Sequence, residues 1–288
     1  MISFMGNFRM ATIQDNKLDS FEVKTPDFTT HVVRLSEELL LMNRTHFWKS
    51  NTNIQEVFSE GWKLFVITES VGPVQIGVSQ DKLVPVETGT MALYLPPFAV
   101  IDWHLPQGTL KWKAYLSSRP LKFESTDAFT FKWNEGRGIF TLDDIDNVLL
   151  NVRDYKRVSR SAGKCFVSKV TKEYLDKCFL ISESTRQVAE KLGFSYSTMT
   201  HYFRRTYSMA PSDYRRHLRI TAAGSGLFNG ERTSTEICFE SGHQDYSSFK
   251  SGFKKIFGLT PLQFKFCKGQ LSKPYSAKKN NQIEGHEL

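Results

Sequence analysis

At 288 residues with a formal charge of +8, the chain has room for two domains, and 40% hydrophobic with 13% aromatic residues exclude a disordered polymer. The charge is divided unevenly: residues 151–288 hold 24 Lys/Arg against 12 Asp/Glu, whereas residues 1–150 hold 14 against 18. A positive field confined to one half points to nucleic acid ahead of an anionic membrane surface, and no apolar run approaches the ~18 residues of a membrane span.

The first 30 residues lack the apolar stretch of a secretory signal, and Cys165, Cys178, Cys238 and Cys267 show neither CxxC nor Cys/His zinc spacing. The chain therefore reads as cytoplasmic, with reduced thiols, no metal and no cofactor.

In chain order, "HVVRLSEELLLMN" (31–43) is compatible with strand or helix. "GWKLFVITES" (61–70) reads as a strand with a turn at Glu69–Gly72. From Val71 to Leu121, β-branched and aromatic runs punctuated by Gly and Pro read as an antiparallel sandwich or small barrel. At Thr141 the period changes: Thr141 can cap, Asp143 and Asp144 suit a first turn, and Leu142, Ile145, Val148, Leu149 and Val152 recur at helical spacing. That stripe can pack on its own sheet or against a second copy. The polar stretch that follows supplies no core-facing stripe and reads as a linker, 153–166, before a helical region, 167–268, and a polar tail, 269–288, expected to be disordered.

The helical region writes one sentence twice: "FRRTYSMAP" (203–211) and "FKKIFGLTP" (253–261). Before each copy a small residue, Ala189 or Cys238, stands four positions ahead of a glycine, Gly193 or Gly242. This suits a helix that approaches its partner closely and then turns. In the helix after each turn, Met199 with Phe203, and Phe249 with Phe253, fall on one face and anchor it. The opposite face carries Ser197, Thr200, His201 and Arg204 in the first unit, and Ser247, Lys250, Ser251 and Lys254 in the second.

Two helix-turn-helix units in one register, each with a hydrogen-bonding ridge, are what major-groove recognition requires. Ser197, Thr200, His201, Tyr246, Ser247, Lys250 and Ser251 are the expected base readers, and Arg204, Arg205, Lys254 and Lys255 the expected phosphate contacts. His201 alone is ambiguous and takes its assignment from its place in the array.

Over roughly Val170–Phe266 the chain resembles the AraC/XylS family of bacterial transcription regulators, most closely in "EICFESGHQDYSSFKSGFKKIFGLTPLQF" (236–264). His243 stands where the family usually has Phe, and Ser251 where it often has Arg. The connecting "LRITAAGSGLF" (218–228) has Arg219, Ile220 and Ala223 as the family would, but also Gly224 and Gly226, which either soften the helix or permit close packing. "LVPVETGTMALYLPP" (83–97) resembles the cupin-like regulatory domains of such proteins.

The resemblance implies an α+β chain: a cupin-like jelly-roll domain, 1–152, then an all-α double helix-turn-helix domain, 167–268. It implies an activator that binds double-stranded promoter DNA and RNA polymerase, controlled through a small-molecule effector, a regulatory protein or homodimerisation. Trp62, Trp103 and Trp112 are candidates to line an effector pocket, with burial in the core as the alternative. The rival function, an enzymatic or small-molecule-binding cupin with an ancillary helical module, lacks a metal-ligand set: residues 51–160 hold one histidine, His104. No catalytic residue is assigned.

Overall fold

The computed structural model describes residues 20–77, 83–134, 138–158, 165–229 and 232–265. Its first part is built from twelve strands: β1 (Ser20–Lys24), β2 (Phe28–Arg34), β3 (Leu40–Trp48), β4 (Thr52–Val57), β5 (Trp62–Ser70), β6 (Val74–Gly77), β7 (Val84–Val86), β8 (Met91–Leu95), β9 (Val100–Leu105), β10 (Gly108–Ser117), β11 (Phe129–Lys132) and β12 (Tyr155–Arg157). They form two antiparallel layers, an eight-stranded sheet ordered β1-β2-β3-β10-β5-β8-β11-β12 and a four-stranded sheet ordered β4-β9-β6-β7. The ambiguous 31–43 segment is thus strand: it lies in β2 and β3, which pair from Phe28↔His46 to Arg34↔Leu40.

One face of the large sheet, with Phe65, Ile67, Leu93 and Leu110, packs on Ile76, Ile101, Trp103 and Leu105 of the small sheet. The other face, with Trp62, Leu64, Val66 and Tyr94, is covered by α1 (Leu142–Leu150). Both faces of β5 are therefore buried, which is why "WKLFVI" reads as a continuous apolar run apart from Lys63. The α1 cap is the expected one: Thr141 Oγ1 accepts from Asp144 N, and the Asp144 carboxylate accepts from the Thr141 N–H in return. Ile145 and Leu149 are fully covered by the chain's own sheet, so the amphipathic stripe is used within the molecule. The stretch expected as a linker contains β12, which pairs with β11 from Phe129↔Arg157 to Phe131↔Tyr155. Residues 159–164, and the expected tail 269–288, lie outside the described residues.

The second part is helical: α2 (Phe166–Cys178), α3 (Thr185–Lys191), α4 (Tyr196–Tyr207), α5 (Pro211–Asn229), α6 (Ser234–Glu240) and α7 (Tyr246–Phe257), with residues 261–265 also helical. Leu175, Val188, Met199, Phe203, Tyr214 and Leu218 make the core of the first unit. Ile220, Leu227, Ile237, Phe249 and Phe253 make the core of the second, so α5 belongs to both. The fold is α+β, a two-layer β domain followed by an all-α one. Among the described residues no helix is long and apolar enough to cross a membrane.

Candidate nucleic-acid interface

The repeated nine residues are a helix end and the start of the next helix. Phe203 and Phe253 are fully buried anchors. Ser208 and Gly258 are the left-handed caps of α4 and α7, with φ of 55° and 76°, each donating its N–H to the carbonyl of Arg204 or Lys254. Met209 and Leu259 are buried, and Pro211 and Pro261 open the helices that follow. The turns before α4 and α7 run through Gly193 and Gly242, both at positive φ.

On α4, Ser197, His201, Arg204 and Arg205 are exposed. The Ser197 hydroxyl lies 3.0 Å from that of the N-cap Ser195, which fixes the start of the ridge. Thr200 departs from the expectation: it is half-buried, and its Oγ1 is screened from solvent without a hydrogen-bond partner. On α7, Ser247, Lys250, Ser251, Lys254 and Lys255 are exposed, while Asp245 caps the helix through Ser248 N at 2.7 Å. Tyr246 also departs from the expected reading position. Its ring packs on Phe249 and its hydroxyl lies 3.0 Å from Ser234 Oγ, so it braces α6 against α7. Among the described residues, Arg204, Arg205, Lys254 and Lys255 are in no ion pair. They stand in the last turns, where cations complement the helix dipole.

Arg219 of α5 ties the two units together. Its Nε donates to Phe179 O at 2.6 Å, Nη2 to Ile181 O at 2.8 Å and Nη1 to Gly242 O at 2.8 Å. Burial holds this guanidinium down at about 10. The glycines of α5 resolve as close packing: a Cβ on Gly224 would lie 2.4 Å from Phe257 Cζ, and one on Gly226 would lie 2.9 Å from Ile237 Cδ1.

Residues 188–265 match the family described as "Helix-turn-helix domain". This part of the chain is similar to helix-turn-helix domains. Its relatives include the virulence regulon transcriptional activator VirF of Yersinia enterocolitica, 25% identical over 96 residues, covering 33% of this chain and 35% of VirF. The Msm operon regulatory protein of Streptococcus mutans is 27% identical over 107 residues, covering 37% and 38%. The chain spans little more than a third of the length of these curated relatives. Across both domains, the solved structure of ToxT from Vibrio cholerae O395 bound to (E)-4-(8-methylnaphthalen-1-yl)but-3-enoic acid superposes with a TM-score of 0.50 at 10% identity, over 80% of this chain and 99% of that one. The likeness is one of fold.

The helical domain rests on the outer face of the small sheet. On β4, Gln55 and Val57 face the helices: Gln55 Nε2 donates to Asp102 Oδ1 at 2.8 Å and to Tyr207 O, at the end of α4, at 2.9 Å. Val57 and Val100 enter the core of the first helix-turn-helix unit. Phe98, held at φ 59°, stacks edge-on against Phe179.

The three tryptophans do not face one space, and Trp62 and Trp103 are buried in the core, the alternative that the sequence left open. Trp62 faces α1 and donates Nε1 to Arg119 O, whereas Trp103 and Trp112 face the space between the sheets. Side chains alternate along a strand, so Trp62 and its neighbour Lys63 point to opposite faces of β5. Lys63 joins Arg44, Glu56, Trp103 and Trp112 between the sheets. Glu56 accepts from Trp103 Nε1 at 2.9 Å, Arg44 donates to Thr30 Oγ1 at 2.7 Å and lies over the Trp112 ring, and Lys63 Nζ sits 4.0 Å above the Phe58 ring. Burial pushes Arg44 down to about 10, Lys63 down to about 8 and Glu56 up, with the opposite charges resisting each shift. Arg44 and Lys63 are nevertheless only half-buried and Glu56 is exposed. These charged groups meet between the sheets among the rings of Phe58, Trp103 and Trp112. The sequence signal for this cluster was a lone Lys inside an apolar strand. Among the described residues no group of three or more His, Cys, Asp or Glu could hold a metal ion.

Proposed function

We propose that this chain is a sequence-specific DNA-binding transcription regulator, an activator, that works in the cytoplasm on double-stranded promoter DNA and engages RNA polymerase. One observation carries the reading: α4 and α7 each bury one face and expose a ridge of hydroxyls and cations, and a single helix, α5, joins the cores beneath them. Two such ridges suit successive major grooves on one face of a duplex. The expected base readers are Ser197, His201, Ser247, Lys250 and Ser251, with Thr200 and Tyr246 in supporting roles. Arg204, Arg205, Lys254 and Lys255 hold phosphates. Non-enzymatic action follows from the same reading.

Selection of duplexes from a random pool, followed by footprinting, tests it. The expected footprint is two protected segments about one helical turn apart. Changing Arg204 or Lys254 to Ala should weaken every duplex and flatten the salt dependence by about one contact each. Changing Ser247 or Lys250 should alter preference at particular base pairs. Failure of any duplex to bind at low salt defeats the proposal.

Control through the β domain by a small molecule is the regulatory part of the proposal, favoured over a protein partner by the charged cluster that Lys63, Arg44 and Glu56 form between the sheets. Lys63 is a desolvated ammonium with an aromatic ring for company, a site an organic anion completes. The carboxylic acid bound by the Vibrio cholerae structural neighbour is of that chemical class. Since β4 shows Glu56 to the space between the sheets and Gln55 and Val57 to the helices, a ligand bound beside Glu56 can act on the DNA-binding unit through one strand.

A further inference from the structure

A groove of about 490 Å3 separates the two helix-turn-helix units, lined by Ser184 and Gln187 at the start of α3, Arg215 and Arg216 of α5, and Gln244 and Asp245 at the start of α7. Arg219 also lines it, with each of its three guanidinium nitrogens donating to a carbonyl. Arg215 is different. Half-buried, it makes no hydrogen bond or ion pair among the described residues, and its nearest opposite charge, Glu183, is already held by Lys191 and the Tyr174 hydroxyl. Arg216 is exposed and meets Asp213 at 2.9 Å in a surface pair of the kind worth little in water. Asp245 spends its carboxylate on the α7 cap.

We propose that this groove seats a backbone phosphodiester of duplex DNA, with Arg215 as its ligand and Arg216 as the second cation. The inference rests on the DNA-binding reading above and assigns residues outside both ridges. With α4 and α7 in successive major grooves, the sugar–phosphate strand between those grooves must cross the space between the units. The first helix of a helix-turn-helix crosses the backbone, and α3 opens on this groove. Ser247, the first ridge residue of α7, follows Asp245 by two positions, so the groove continues directly into the reading surface. An Arg fork without an acceptor is matched by a phosphate, which accepts two parallel N–H bonds. The carboxylates of Glu183 and Asp245 are both held in the ionised form by their hydrogen-bond donors, so the arginines, not the acids, are free to meet an anion.

The test uses the full chain, the variants Arg215→Gln and Arg215→Lys, and two duplexes of about 30 base pairs, or three helical turns, one selected by the wild-type protein and one unrelated. The expected result is a salt dependence shallower by about one phosphate contact for Arg215→Gln on both duplexes, with Arg215→Lys keeping the wild-type slope. A merely structural role would shift the denaturation midpoint without changing the slope. Wild-type slope in Arg215→Gln overturns the assignment, as does a slope lost equally in Arg215→Lys. So does an Arg215-dependent affinity for inorganic phosphate at constant ionic strength with an unchanged DNA slope, which would make the groove a free-anion site. If selection yields no duplex that the wild-type protein binds, the DNA-binding reading falls and this inference with it. Failure confined to the variants' slopes leaves that reading intact.

Discussion

Arg219 of α5 donates to the carbonyl of Gly242, in the turn of the second helix-turn-helix unit, at 2.8 Å. The same guanidinium holds Phe179 and Ile181 of the first unit, so one side chain fixes the relative placement of the two ridges. Gly242 is at φ 79°, and a Cβ there would come within 2.8 Å of the Arg219 Cζ and 2.9 Å of Leu180 O. Replacing Arg219 with Ala should cost about 3 kcal/mol, as expected for charged hydrogen bonds partly replaced by water. It should also lower affinity for a duplex carrying both half-sites more than for either half-site alone. Chemical denaturation and titration of the two duplex types measure these effects. Lys in its place has a single ammonium and should recover less than half of the loss.

Gly224→Ala sets two magnitudes against each other. Helix propensity favours Ala by about 1 kcal/mol, but the new Cβ would meet the Phe257 ring at 2.4 Å, and overpacking costs about 1–3 kcal/mol. Net destabilisation is expected, and Phe257→Leu in the same chain should reverse much of it. A double-mutant cycle on unfolding free energies reads the coupling; additive effects would show that the ring moves aside freely.

Ser208 and Gly258 hold the same left-handed cap, but only one of them is glycine. Ser208→Gly should stabilise the protein by about 1 kcal/mol, the order of the cost of a side chain in that region. Gly258→Ser should destabilise by a similar amount. Thermal melts of the two variants give opposite signs if the caps are equivalent.

Acid should unfold the protein earlier than its carboxylates require. Burial pulls His243, in contact with Phe249, and His46, stacked on Trp48 at 3.7 Å, from the usual 6.5 down to about 4, and nearby Arg219 or Arg44 adds to the effect. Between those values the unfolded chain takes up protons that the folded chain refuses. Stability is therefore fully present above pH 6.5, declines as pH falls towards 4 and levels off below it, by at most about 1.4 kcal/mol per pH unit per histidine. His243→Phe should remove one share, so its gain over wild type is larger at pH 5 than at pH 8. A constant gain would assign the effect to packing alone.

Lys63→Met should raise the stability of the ligand-free protein by about 1 kcal/mol while abolishing any response to an organic anion, because an ammonium enclosed by protein is retained at a cost. Burial lowers Lys63 from 10.5 to about 8. Across that window the unfolded chain keeps a proton that the folded chain has lost, so wild-type stability rises with pH. The advantage of Lys63→Met should shrink correspondingly between pH 8 and 10.5. Denaturation curves at pH 7.5 and 10 separate this from a simple gain in packing.

The exposed ridges of α4 and α7 were legible because helical period and a repeated register are local properties. Phe203 and Phe253 mark the buried side, and whatever lies opposite is exposed. Thr200 and Tyr246 are half-buried because each sits at the margin of its ridge, where a neighbouring helix rather than the period decides exposure. Of the two fates open to Trp62 the structure has burial in the core, because β5 is covered on both sides, by α1 and by the small sheet, so hydrophobicity does not distinguish its faces.

The chain by itself determined a strand-rich first half, a pair of helix-turn-helix units, and the cation-rich surface of the second half, all consequences of side-chain periodicity, turn chemistry and composition. Only the tertiary structure decided that Arg219 spans both units, that Gly224 makes room for Phe257, and that Lys63, Arg44 and Glu56 converge between the sheets. Each of these joins residues from separate elements, and their approach is set by how whole sheets and helices pack, an outcome no local spacing contains.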